Sequence, residues 1–135
     1  MLLKKTHKKK LKSFSHFNHL LKNGSYGFKI TSNLRLTENQ LVSMERILKS
    51  KLKKLSVQFQ KSKVWMNLQL NRTLTKLSLE SRMGKGKGPI YTKVLFLEKG
   101  SIIYEFENLK FQQIKEIYEF FKKYMSVKVV LVRKK

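Results

Sequence analysis

The sequence predicts an α+β fold: two helices packed on a mostly antiparallel sheet, with an extended basic arm at the N-terminal end. Three observations carry this. Leu41, Met44, Leu48, Leu52 and Leu55 recur at helical spacing, as do Phe111, Ile114, Tyr118, Phe121 and Met125. Between and around these two stripes lie short apolar runs of strand length, bounded by glycine, asparagine and serine. The order of strand, helix, several strands, helix and strand is that of helices covering an antiparallel sheet, not of alternating βαβ units. Residues 1–23 are read as the arm and residues 24–135 as one domain.

Along the arm, Lys4, Lys5, Lys8, Lys9, Lys10, Lys12 and Lys22 alternate with Phe14, Phe17 and three histidines. A segment without acids suits a path along RNA, where the phenylalanines can stack on bases or pack locally. A cleaved presequence is the rival reading, although such segments favour arginine and this one has none. His16 and His19 have metal-ligand spacing but no thiol or carboxylate near them, so surface histidines are the plainer reading.

Gly24-Ser25-Tyr26-Gly27 signals a turn, and Phe28 to Thr31 a short strand. Thr37 and Gln40 have the spacing of a capping box at the start of the first helix. Glu38 suits the helix dipole there, and Lys49, Lys51, Lys53 and Lys54 suit it at the far end, where they could equally hold phosphates. Val64 to Leu70 alternates with period two and is read as a half-buried strand. In it Trp65 shares a side with Asn67 and Gln69, as a packing aromatic or a stacking platform. Thr73 to Leu79 is a further strand. Ile90 to Glu98 and Ser101 to Glu107 are read as a hairpin turning at Lys99-Gly100. Asn108 is the expected cap of the second helix. Val127 to Val132 is the last strand, before the basic Arg133, Lys134 and Lys135.

The charge narrows the function. Lys plus Arg number 31 against 8 acids, for a net charge of +23 on 135 residues. Twenty-six of the cations are lysine, every acid is glutamate, and there is neither aspartate nor alanine. Such a chain repels itself, and a nucleic acid is the natural source of counter-charge. With 41% hydrophobic residues the chain can still form a core. The absence of cysteine excludes disulfides and thiolate metal sites. No apolar run approaches the roughly 20 residues that span a membrane. Catalysis is not expected: the histidines lie in the arm, and Glu105 and Glu107 share a strand face without a catalytic partner.

The most specific segment is Arg82-Met83-Gly84-Lys85-Gly86-Lys87-Gly88. Glycines let the backbone pass close to a ligand, and the interleaved cations suit a polyanion. The phosphate-loop motif needs a serine or threonine after Gly-Lys, and here Gly88 and Pro89 follow. The dinucleotide fingerprint needs Gly-x-Gly-x-x-Gly, which this spacing is not. A loop passing between RNA backbones explains both residue types, with Arg82, Lys85 and Lys87 on phosphates and Arg82 able to stack or to bind bidentately. A flexible loop with solvated lysines is the plainer alternative.

The sequence resembles the large-subunit ribosomal protein L-sixteen family over nearly its whole length. Gly24-Ser25-Tyr26-Gly27-Phe28-Lys29 is similar to the family's Gly-Ser-Phe-Gly-Leu-Lys. Leu34-Arg35-Leu36-Thr37-x-x-Gln40 is similar to Gly-Arg-Leu-Thr-x-x-Gln, and Val64-Trp65 to Ile-Trp. Arg82 to Gly88 is identical to the family's loop, and Gly100 to Phe106 resembles Gly-x-Val-Leu-Tyr-Glu-Met. The basic start, Met1 to Thr6, also resembles the family's own, which argues against a presequence. The resemblance implies an α/β-hammerhead type of domain in the large ribosomal subunit. It implies binding to large-subunit rRNA, neighbouring ribosomal proteins and A-site tRNA, with P-site tRNA in reach, and no cofactor. The loop would then reach toward the peptidyl transferase region, with Lys8, Lys9, Lys10, Lys12 and Arg35 also on RNA. The alternative is a free basic RNA-binding module or RNA chaperone. Two departures stand out. The family's Phe-Pro-Asp-Lys-Pro is here Leu68-Gln69-Leu70-Asn71-Arg72, without its prolines, and the stretch Lys51 to Lys63 is longer. The lack of alanine and the lysine excess fit an AT-rich genome and point to an organelle-encoded, mitochondrial member.

Overall fold

The computed structural model describes residues 4–7, 18–55, 61–70 and 72–135. Their elements run β1 (Tyr26–Ile30), β2 (Leu34–Thr37), α1 (Glu38–Leu55), β3 (Lys63–Met66), β4 (Arg72–Thr75), β5 (Ile90–Leu97), β6 (Ile102–Glu107), α2 (Phe111–Tyr124) and β7 (Val129–Arg133). This is the expected α+β fold, but the strands form two antiparallel sheets, ordered β3-β6-β1-β7 and β2-β5-β4.

The helices form where their caps and stripes require. In α1 the Gln40 side chain accepts from the Thr37 N–H at 3.0 Å, and the Thr37 hydroxyl accepts from the Gln40 N–H at 3.5 Å, the reciprocal capping box. Leu41, Met44, Leu48 and Leu52 are buried along one face. In α2 the cap is Lys110 and not Asn108. Asn108 has φ of +61°, a left-handed conformation asparagine tolerates, and so makes the turn before the helix. Gln113 then accepts from the Lys110 N–H at 3.0 Å and donates to the Leu55 carbonyl at 3.2 Å, joining the start of α2 to the end of α1. Ile114, Ile117 and Phe121 are the buried residues of α2, whereas Phe111 at its first position is exposed.

The expected hairpin across Lys99-Gly100 does not form. After Gly100 the chain joins β1: the Ile30 N–H donates to Ser101 at 2.9 Å and the Gly100 N–H to Ile30 at 2.8 Å. Ile102–Glu107 has nearly every residue buried and takes a central place between β3 and β1, as a strand apolar on both faces must. The actual hairpin is β4 with β5. Residues 24–27 contribute only partly to a turn, since β1 already begins at Tyr26.

One buried cluster unites the sheets with the helices: Phe28, Tyr104 and Phe106, Leu36, Leu95 and Leu97, and the stripes of α1 and α2. At its centre the Phe28 ring lies 4.8 Å from Phe106, 5.2 Å from Phe121 and 5.9 Å from Tyr118, and such aromatic pairs each add about 0.5–1.5 kcal/mol beyond the area they bury.

Two buried polar groups differ in how they are satisfied. Glu105 is 1% exposed. One of its oxygens accepts from the backbone N–H groups of Lys22, Asn23 and Gly24 at 3.1, 2.7 and 2.9 Å, and the other from the Asn67 side chain at 3.2 Å. The Tyr104 hydroxyl has no hydrogen-bond partner among the described residues. Burial, and then the negative charge of Glu45, push its pKa up to about 12.

Glu105→Ala removes the acceptor of four hydrogen bonds, one of them from the buried Gly24 N–H, and is expected to lower stability by about 2 kcal/mol in urea denaturation, with a smaller effect in Glu105→Gln. Tyr104 holds its proton more tightly folded than unfolded, so its contribution is intact below pH 10 and is lost as pH rises toward 12. Tyr104→Phe is therefore expected to be neutral or stabilising at pH 7, and its unfolding midpoint should fall less than that of the parent chain between pH 9 and pH 11.

Candidate nucleic-acid interface

The loop Arg82–Gly88 is the far part of the β4–β5 hairpin. Below it the strands are in register from Arg72↔Val94, with an irregularity between Leu74 and Thr75. The Lys76 N–H donates to the Pro89 carbonyl at 3.1 Å and closes the neck. Ser78 to Ser81 make a tight turn, with the Ser81 N–H on the Ser78 carbonyl at 3.1 Å and their hydroxyls 2.6 Å apart.

The three glycines serve two purposes. Gly84 and Gly86 have φ of +89° and +75°, with open space where a side chain would stand. They turn a backbone that other residues follow only under strain. A side chain on Gly88 would come within 2.5 Å of the Lys76 carbonyl, so that glycine is needed for the neck itself.

Arg82, Met83, Lys85 and Lys87 line the loop, and all four are exposed. Arg82 and Lys85 have no hydrogen-bond or ion-pair partner among the described residues. Lys87 behaves differently. Its ammonium donates to the Thr6 carbonyl, and the Lys5 ammonium donates to the Lys87 carbonyl at 3.2 Å. The expectation of three equivalent phosphate-seeking cations is therefore refined: Lys87 also fastens the arm to the loop. Arg35, the remaining expected RNA contact in the described residues, is exposed on β2 opposite Phe96 and away from the loop's own strands in sequence. Lys8, Lys9, Lys10 and Lys12, with Phe14, Phe17 and His16, lie outside the described residues.

Sequence reasoning missed the anchoring of the arm. Thr73 is 3% exposed. Its hydroxyl donates to the Lys4 carbonyl at 2.8 Å, and its N–H donates to the Thr6 hydroxyl at 3.0 Å. Farther along, the Ile102 N–H donates to the Asn18 carbonyl at 2.8 Å, and residues 22–24 reach Glu105. The arm is thus held at two places, beside the loop neck and across the four-stranded sheet. Trp65 is half-buried on β3, in register with Glu105. The residues replacing the family's proline segment are partly described: Leu68 and Leu70 pack against the core cluster. Among the described residues no group of acids and histidines is placed to hold a metal, and no helix is long and apolar enough to cross a membrane. Thr73→Val keeps the shape but removes the donor to Lys4, and is expected to cost about 1 kcal/mol and to speed amide exchange at residues 4–7, measured by hydrogen exchange.

The family model described as ribosomal protein L16p/L10e matches residues 2–132. The large ribosomal subunit protein uL16m of Chondrus crispus is 42% identical over 133 residues, covering 98% of this chain and 96% of the relative. The uL16 protein of Carsonella ruddii (strain PV) is 34% identical over 124 residues, 92% of this chain and 87% of the relative. That of Buchnera aphidicola subsp. Cinara cedri is 28% identical over 131 residues, 97% and 91% of the two chains. With a family model spanning almost every residue and such relatives at nearly full length, this chain belongs to the ribosomal protein L16p/L10e family.

Proposed function

We propose that this chain is a structural constituent of the large ribosomal subunit. It binds large-subunit rRNA through its basic surface and directs the loop Arg82–Gly88 toward the A-site tRNA near the peptidyl transferase region. The observation that carries this is the loop itself: an exposed, cation-bearing finger on a closed β-neck, with Arg82 and Lys85 unengaged among the described residues. The net charge of +23 supports it, since a polyanion must offset most of that charge. The relatives' names, large ribosomal subunit protein, support it as well.

Each side chain then has a role. Arg82 offers five donors in a planar fork, for a bidentate phosphate contact or a stack on a base. Lys85 acts as a point charge on the backbone of RNA. Lys87 keeps residues 5 and 6 of the arm beside the loop, and Lys8, Lys9, Lys10 and Lys12 supply further rRNA contacts. Arg35 serves a separate rRNA contact from β2. The mitochondrial suffix of the Chondrus crispus relative supports a place in the mitochondrial ribosome, in line with the lysine excess and the missing alanine.

The chain is expected to co-sediment with the large subunit at moderate salt; recovery only in ribosome-free fractions would overturn the assignment. In assembled subunits, Arg82→Ala and Lys85→Ala are expected to slow tRNA accommodation or peptide-bond formation while the isolated protein's stability stays within about 0.5 kcal/mol of the parent, as for exposed positions generally. Each should also reduce the salt slope of RNA binding by about one unit for every phosphate that the variant no longer neutralises.

A further inference from the structure

Among the described residues, half of the exposed large apolar side chains fall in one short stretch. Leu77, Leu79, Met83, Ile90 and Tyr91 all fall between residues 77 and 91, at the foot of the loop and on it. Leu79 is 99% exposed and Tyr91 67%. Neither helps the core, and contiguous exposed apolar surface marks a site of interaction. Leu77, Leu79, Ile90 and Tyr91, with Lys76, Ser78 and Pro89, line a cleft of about 320 Å³. That volume lies at the lower end of the range for small-ligand sites, about 300–1,000 Å³.

Charge decides what fits. Between residues 76 and 93 the cations are Lys76, Arg82, Lys85, Lys87 and Lys93, against Glu80 as the single acid. The Lys76 ammonium lies 5.3 Å from the centre of the Tyr91 ring, so a cation already borders the aromatic surface. An apolar cleft with an exposed aromatic wall and a cationic rim is the chemistry of a seat for a base with its phosphate. We propose that the cleft between Leu77, Leu79, Ile90 and Tyr91 receives one unstacked RNA base, laid against Tyr91 with its phosphate at Lys76. This rests on the reading of the loop as an RNA-binding element and adds to it a contact that recognises bases. Phosphate contacts alone would hold any polyanion, whereas a base seat requires an unpaired nucleotide at this place.

The test uses the full-length chain and two single-stranded probes of equal length and charge, an oligouridylate and its abasic phosphodiester counterpart, with affinities from fluorescence anisotropy at fixed salt. The parent chain is expected to prefer the oligouridylate by about tenfold, the order of one stacked base. Tyr91→Ala and Leu79→Ser should remove most of that margin without weakening the abasic probe, and Tyr91→Phe should retain it. A margin unchanged in Tyr91→Ala and Leu79→Ser would overturn the base seat while leaving the RNA-binding reading intact. Failure to bind either probe would sink both. In assembled subunits, a photo-crosslinking benzoylphenylalanine in place of Tyr91 should attach to RNA; attachment to protein alone would make the cleft a protein interface and overturn the proposal.

Discussion

The carboxylate of Glu105 is the interaction on which the arrangement of this molecule turns. It stands in the middle of β6, a strand otherwise made largely of apolar side chains, and is as buried as they are. A buried carboxylate survives only when its oxygens are filled with donors. Here the donors come from two other places in the chain: three successive backbone N–H groups at residues 22–24, and the Asn67 side chain beyond β3. Gly24 lies so close to Phe106 that a side chain there would meet the backbone at 2.7 Å. The end of the arm is therefore drawn flat against the sheet, and the stretch leaving β3 is held beside it. The same strand presents Tyr104 and Phe106 to the helices through its other face, with Tyr104 6.0 Å from Phe121. Arm, sheet and helices thus meet at one strand.

From that fixed part the glycine-lysine loop is carried outward by covalent geometry. β5 lies between β2 and β4 and contributes Val94, Leu95 and Leu97 to the interior, so its buried half is anchored in the core. Its other end, from Ile90 to Tyr91, is exposed and continues into the loop. A loop set on such a strand can differ widely in surface chemistry without disturbing the core, the usual relation between scaffold and binding loop. The second anchor of the arm, at Thr73 and Lys87, lies at the neck of this hairpin.

Much of this was legible in the sequence, for local reasons. The stripe of α1 and the Thr37–Gln40 box involve residues a turn or so apart, so periodicity and spacing suffice to find them. The turning of the loop was legible from its glycines, and Gly84 and Gly86 do hold left-handed backbone. What escaped is non-local. The turn at Lys99-Gly100 looks like a hairpin from its residues alone, yet the pairing is decided by which edges are open. Those of β5 are taken by β2 and β4. Asn108 has the side chain of a cap, but its left-handed backbone moves the helix start to Lys110. Glu105 did carry a signal: an acid amid Ile102, Ile103, Tyr104 and Phe106 must either break the strand or find buried donors. Nothing local told which donors.

The distribution of charge follows from the same constraint. A chain this basic cannot place cations in its interior, and the buried polar residues among those described are a threonine, a serine and a glutamate. Acids are scarce, and two of them are used to offset lysines on the helices: Glu45 with Lys49, and Glu116 with Lys51 at 3.8 Å. Such exposed pairs contribute little, commonly under about 1 kcal/mol. They therefore leave nearly the whole positive charge uncompensated within the chain. Lys87 shows how a cation can be fixed without an acid, by donating to a backbone carbonyl that leaves its charge intact. That contact leaves the Lys87 charge on the same loop as Lys85 and Arg82, so anchoring the arm does not cancel the loop's positive charge. Under the proposed function, self-repulsion there is relieved when the RNA arrives, which would make the stability of this region and its occupancy linked quantities.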